Sequence, residues 1–175
     1  MDQKNRLNAL DTALKNEMAE REFYLANAER TGNPLGKAMF KEIADDELDH
    51  YERLLKLQET WENERKWPET IPLTVKKTNV GNILAGMMEK VKTMPPGNDD
   101  DRAALRKAID FEAKGVEFYR GLRDMVQDPR ERAFFDLLAS IEEEHYVSLK
   151  ETEEYLIDPA AWYRSKERGG GLDGA

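Results

Sequence analysis

"ADDELDHYERL", residues 44–54, decides how this chain folds. The apolar residues around it run Phe40, Ile43, then Leu54 and Leu57. Steps of three and four residues mark one face of an α-helix. Glu47 and His50 occupy the two positions missing from that face. A carboxylate and an imidazole on a buried seam are costly unless something pairs with them.

The same seam logic extends in both directions. Residues 5–30 predict a helix with its seam at Leu7, Leu10, Leu14, Glu17, Arg21, Tyr24 and Ala28. "TGNPLG" (31–36) breaks it, and a second helix is predicted over about 35–65. A third, over about 100–127, carries Leu105, Ile109, Glu112, Val116, Tyr119 and Val126 in line. After "QDP" (127–129), a fourth runs to about 157 through Phe135, Leu138, Glu142, His145, Leu149 and Thr152. Two such hairpins are the recipe for an all-α four-helix bundle. The expected domain spans 1–157, with hairpins at about 5–65 and 100–157 and a crossover over 66–99. A bundle of these helices is roughly 40–45 Å long at about 1.5 Å per residue, so the crossover can run its length. It begins extended, holds a short helical pattern near 80–92, and ends in Pro-Pro-Gly. Residues 158–175 form a tail, in which Trp162 and Tyr163 are expected to pack on the bundle or a subunit mate, with a mobile Gly-rich end.

An internal repeat ties the hairpins together. Adding 95 to a residue number turns Leu10 into Leu105, Glu17 into Glu112, and Phe23-Tyr24 into Phe118-Tyr119. Pro34 becomes Pro129, Phe40 becomes Phe135, Glu47 becomes Glu142, and His50-Tyr51 becomes His145-Tyr146. The two histidines of the chain are therefore repeat mates. Glu17 and Glu47 are equidistant from residue 32 at the first turn, as Glu112 and Glu142 are from residue 127 at the second. Residues equidistant from an antiparallel turn share a height, here roughly 22 Å along the helices. Facing hairpins would thus gather four glutamates and two histidines at one level. Glu47/His50 and Glu142/His145 are i, i+3 pairs, each projecting from one face. Four buried carboxylates repel one another, and two divalent cations would balance them. Oxygen with imidazole suits iron, or alternatively manganese or a mixed pair, better than thiolate-seeking metals.

Other polar residues are weighed beside these six. Glu20 competes with Glu17, but its repeat mate is Gly115, which favours Glu17. Asp45, Asp46, Glu143 and Glu144 are expected to be solvated. Tyr24 and Tyr119 either hydrogen-bond ligand carboxylates or serve as ordinary seam aromatics. Arg21 has no basic mate and either pairs with a carboxylate or snorkels outward.

Composition excludes several classes. Charged residues make up 36% of 175, and the net charge of -9 argues against nucleic acid or anionic lipid as a partner. The absence of cysteine removes disulfides, thiolate metal sites and thiol catalysis. No apolar run approaches the roughly 20 residues that span a bilayer, and the polar start "MDQKNRLNAL" lacks a signal core. A cytoplasmic location is expected.

"FKEIADDELDHYERL" and "FFDLLASIEEEHYVSL" resemble the second and fourth helices of the rubrerythrin family within the ferritin-like superfamily. "ALKNEMAEREFYL" and "AIDFEAKGVEFYRGL" resemble its first and third, and the likeness covers roughly residues 7–155. The resemblance implies a di-iron centre with Glu17 and Glu112 as terminal carboxylates, Glu47 and Glu142 as bridges, and His50 and His145 as nitrogen ligands. It implies an oxidoreductase reducing hydrogen peroxide or dioxygen, with a homodimer as the expected assembly. Typical members add a four-cysteine rubredoxin-like domain, so here a separate electron-donor protein is expected. Many also carry an extra carboxylate beside the third-helix ligand. Three residues before Glu112 this chain has Ile109, a departure from the carboxylate to which the family's redox-linked iron shift is attributed. Ferroxidase iron storage in a ferritin-type cage and a non-catalytic metal-binding bundle are the alternatives. The fused repeat resembles rubrerythrin more than a cage-forming ferritin.

Overall fold

The computed structural model describes residues 3–64, 78–91 and 99–168. It contains α1 (Gln3–Arg30), α2 (Pro34–Glu64), α3 (Val80–Val91), α4 (Asp99–Met125), α5 (Pro129–Ile157) and α6 (Pro159–Arg168). Among the described residues there is no strand, and the four long helices lie within a residue or two of the seams that predict them. No helix among them is long and apolar enough to cross a membrane.

The turns repeat as well as the helices. Asn33 Oδ1 accepts from the Gly36 backbone N–H at 3.0 Å, immediately before Pro34 opens α2. Its repeat mate Asp128 accepts from the N–H groups of Arg130 and Glu131 before Pro129 opens α5. Each cap satisfies donors that a helix start leaves without intrahelical partners, and proline at the first position gives up a donor that would be orphaned anyway. "DPA" repeats the device a third time: Asp158 Oδ1 accepts from Ala161 N–H at 2.8 Å and starts α6. The expected C-terminal tail therefore begins as a helix. Its Trp162 is buried edge-on against Tyr155 of α5, with ring centroids 5.8 Å apart. The Tyr163 side chain and the Gly-rich end lie outside the described residues.

α1 packs along α2, and α4 along α5, far more closely than either hairpin packs on the other. The short helical pattern in the crossover is α3, which packs on both α2 and α5 and closes that side of the bundle with the buried Val80. The crossover's extended start and Pro-Pro-Gly break lie outside the described residues.

Two apolar clusters fill the interior. One gathers Tyr24, Phe40, Ile43, Leu105, Leu149 and Tyr155 toward the first turn. The other gathers Leu10, Leu14, Leu54, Tyr119, Phe134 and Phe135 toward the second. Truncating one of these phenylalanines to alanine costs about 3–5 kcal/mol. The second end carries a further clasp: Arg6 donates twice to the buried Glu131, at 2.6 and 2.9 Å, while its guanidinium lies 4.0 Å over the Trp61 ring. That pairing joins the start of α1, the end of α2 and the start of α5 in the bidentate geometry that makes Arg–carboxylate bonds strong. The polar seam residues lie between the two apolar clusters, where water is excluded and charges interact strongly.

Candidate metal centre

The six seam residues meet. Glu17, Glu47, His50, Glu112, Glu142 and His145 are all at most 2% exposed. His50 Nδ1 lies 3.1 Å from Glu17 Oε2, 3.2 Å from Glu47 Oε2 and 3.4 Å from Glu142 Oε1. His145 Nδ1 lies 3.3 Å from Glu112 Oε2, 3.6 Å from Glu47 Oε1 and 3.9 Å from Glu142 Oε2. The two rings face each other at 6.2 Å with planes 23° apart.

These contacts resolve into two overlapping groups. Glu17, Glu47, His50 and Glu142 bring one ligand atom each within 4.8 Å of one another, and so do Glu47, Glu112, Glu142 and His145. Donors bonded to one cation at about 2.0–2.2 Å stand at most about 4.4 Å apart, close to that limit. Glu47 and Glu142 belong to both groups, and they come from opposite hairpins. Buried Glu47 Oε1, Glu112 Oε2, both Glu142 oxygens and His145 Nδ1 have no hydrogen-bond partner. Buried polar atoms are almost always paired, because leaving one bare costs free energy. The bare atoms here converge on the space between the four carboxylates, so the donor set fits a pair of cations.

The electrostatics say the same. Burial and the neighbouring Glu142 and Glu17 charges push the Glu47 carboxyl well above its ordinary range. Burial and Glu112 push Glu142 up to about 8. Burial also works against Glu17 and Glu112, but the histidines and tyrosines beside them hold both below the usual carboxylate range. Burial disfavours charge on His145, yet Glu112, Asp46 and Glu142 raise it to about 10. Without cations, protons neutralise the cluster; with them, those protons are displaced.

Tyr24 and Tyr119 cross between the hairpins. Tyr24 Oη donates to Glu112 Oε1, and Tyr119 Oη donates to Glu17 Oε1. Each terminal carboxylate is thus held by one oxygen, and its other oxygen faces a histidine. The two tyrosines hold the Glu112 and Glu17 carboxylates, and both also pack in the apolar clusters.

The structure overturns one expectation. Asp46 is not solvated: it is fully buried, and His145 Nε2 donates to its Oδ2 at 3.1 Å. Burial alone would raise its carboxyl, but the bonds from His145 and Thr78 hold it below the ordinary range, so it stays ionised. Within "ADDEL" it reads as one charge in a run. The signal that could have found it is the repeat, because its mate Ile141 is a buried core residue. Asp45, Glu143 and Glu144 are exposed as expected. Arg21 is half-buried, with its Nε lacking a partner, and Ile109 packs partly buried against the first apolar cluster.

Glu20 stands outside both groups. It lines a cleft of about 600 Å³ between α1 and α4, with Asn16, Phe111, Lys114, Gly115 and Phe118. Burial and the charges of Glu142, Glu112 and Glu17 push it up to about 10. Its repeat mate Gly115 lies against the shared carboxylate: a Cβ there would stand 3.3 Å from Cγ, Cδ and Oε2 of Glu142. At Gly115 the cleft wall is thus separated from the cluster by the Glu142 side chain alone.

Comparison with known proteins agrees with this geometry. The comparison with curated proteins returns no match. Among solved structures, a hypothetical protein from Pyrococcus furiosus is similar over 87% of this chain and 90% of its own, at 24% identity and a TM-score of 0.61. That likeness establishes a shared fold. The family model for rubrerythrin matches residues 8–153, which include both hairpins and all six clustered side chains, and this chain belongs to the rubrerythrin family.

Proposed function

We propose that this protein is a di-iron oxidoreductase that reduces hydrogen peroxide or dioxygen, with electrons from a separate donor protein. The observation that carries the reading is the pair of overlapping donor groups sharing Glu47 and Glu142. Glu17 and His50 would complete one iron position, and Glu112 and His145 the other. Two ferrous ions would supply the two electrons that convert peroxide, with two protons, into two waters.

The chain's own residues support that chemistry. Entry of peroxide is proposed through the α1–α4 cleft, whose wall at Gly115 lies against the Glu142 side chain. Glu20, in the cleft wall, is placed to carry protons between the cleft and the centre. Tyr24 and Tyr119 keep the terminal carboxylates aimed. The apolar clusters on either side exclude bulk water, so charge interactions at the site are strong. With no cysteine in the chain, no thiolate-held redox centre is available within it to deliver electrons.

The test is metal content followed by single-turnover oxidation. Protein purified without added metal and then loaded with ferrous iron should hold two ions per chain. Its ferrous form should be oxidised by one equivalent of peroxide, and assembly into a homodimer is the expected mass. Iron uptake far beyond two ions per chain in a large cage would favour storage instead. Loaded protein inert to both peroxide and dioxygen would leave a non-catalytic metal-binding bundle.

A further inference from the structure

The two halves of the centre are matched in ligands but not in what stands behind them. His145 donates from Nε2 to the Asp46 carboxylate across the α2–α5 interface, and both residues are fully buried. The equivalent nitrogen of His50, Nε2, is buried with no hydrogen-bond partner. The repeat shows why. Asp46 plus 95 is Ile141, an apolar residue 3% exposed in the second core cluster. At the repeat position that carries the Asp46 carboxylate in one hairpin, the other hairpin carries a sec-butyl group.

Both rings present Nδ1 to the carboxylates. A cation bound at Nδ1 requires the ring proton on Nε2. At His145 that proton has the Asp46 carboxyl oxygen 3.1 Å away as its acceptor, which fixes the tautomer, locks the ring plane and makes Nδ1 a more basic donor. At His50 the same tautomer buries an N–H without an acceptor. Partners of this kind behind a metal-bound histidine are typically worth 10- to 100-fold in metal affinity.

We infer that the two metal positions are inequivalent. The position formed by Glu47, Glu112, Glu142 and His145 holds its ion tightly through Asp46, and the position formed by Glu17, Glu47, His50 and Glu142 holds an exchangeable one. Asp46 is a positioning residue acting through His145. The centre fills in order, and a second kind of divalent ion enters at the His50 position. This inference rests on the two-metal reading of the cluster.

The experiment is anaerobic titration of the metal-free full-length protein with ferrous iron, and separately with manganese, against a competing chelator. Two binding steps are expected. Mutual repulsion of two cations also produces two steps, so the variants decide. Asp46→Ile should weaken the first step by 10- to 100-fold and narrow the gap between the steps. Asp46→Asn, which retains a hydrogen-bond acceptor, should restore part of it. Ile141→Asp should strengthen the second step. Glu17→Ala should keep one tight ion, while Glu112→Ala should lose the tight one. Helix content by circular dichroism separates lost affinity from lost fold, and Asp46→Asn is the variant least able to disturb packing. A gap between steps unchanged in both Asp46→Ile and Ile141→Asp overturns the inference while leaving the two-metal site standing. Failure of the unmodified protein to bind two ions overturns both.

Discussion

Replacing Gly115 with alanine should stabilise the metal-free protein and weaken the metal-loaded one. Gly115 sits in the middle of α4, where alanine is better than glycine by about 0.8–1.0 kcal/mol in helix propensity. Against that gain stands the new Cβ, 3.3 Å from three atoms of the Glu142 side chain, tighter than ordinary packing. In the metal-free form Glu142 is held by no hydrogen bond at either oxygen, so its carboxylate can give by a few tenths of an ångström. Most of the propensity gain survives, and about 0.5–1 kcal/mol raises Tm by roughly 1–4 °C for a chain of this size. With both cations bound, Glu142 is fixed at two points and cannot give. Overpacking then costs about 1–3 kcal/mol. The propensity gain is common to both forms, so they separate by the overpacking cost of about 1–3 kcal/mol, which is roughly 5- to 150-fold in metal affinity. The assay is thermal unfolding of metal-free and loaded protein, with chelator competition for affinity. Gly121→Ala is the internal control: it lies on the same helix, exposed, with nothing within 4 Å of its would-be Cβ, and should stabilise both forms alike. If Gly115→Ala also stabilises both forms alike, Glu142 is not immobilised by metal and the shared-carboxylate assignment fails.

Three further outcomes follow from the same site. Glu142→Ala or Glu47→Ala should abolish two-metal binding while keeping helix content, and should stabilise the metal-free fold by relieving carboxylate repulsion; two ions at full affinity in either variant would contradict their place in both donor groups. The metal-free protein should lose stability as pH rises. Glu142 moves from 4.5 up to about 8 on folding and His145 from 6.5 up to about 10, so the fold binds protons that the unfolded chain has released. Tm of the metal-free form should fall between pH 6.5 and 8, where both groups act, while metal affinity climbs over the same window; a metal-free Tm that rises there would refute the proton-for-metal exchange. Metal should also act as a clasp between hairpins that pack on each other sparingly. Hydrogen exchange should show added protection around Glu17, Glu47, Glu112 and Glu142 together, and protection confined to one hairpin would exclude a shared centre.

The sequence by itself determined the helices, their pairing and the six side chains that meet. Each of those depends on angle around a single helix axis or on distance from a turn, and both are local quantities readable from spacing. The 95-residue repeat then removed the remaining freedom, because Glu17 and Glu112, or His50 and His145, had to play matching parts. Glu20 was separable from Glu17 for the same reason: its mate is a glycine. The start of α6 was also written locally, in the Asp-Pro pair that repeats Asn33-Pro34 and Asp128-Pro129.

Tertiary structure decided what stands behind and between those residues. Asp46 sits off the seam by its spacing, and its helix alone would leave it in water. It is buried because α5 brings His145 against it and Thr78, just before α3, closes over it. Whether Tyr24 and Tyr119 bonded carboxylates or merely packed also depended on the partner hairpin, since each reaches across the bundle to the other repeat's glutamate. The close approach of α5 to Gly115 was likewise invisible in spacing. The missing side chain leaves room for Glu142, which lies directly against it, while α3 packs on α2 and α5. Periodicity reports which way a side chain points from its own helix, and only the packing of helices reports what it meets there.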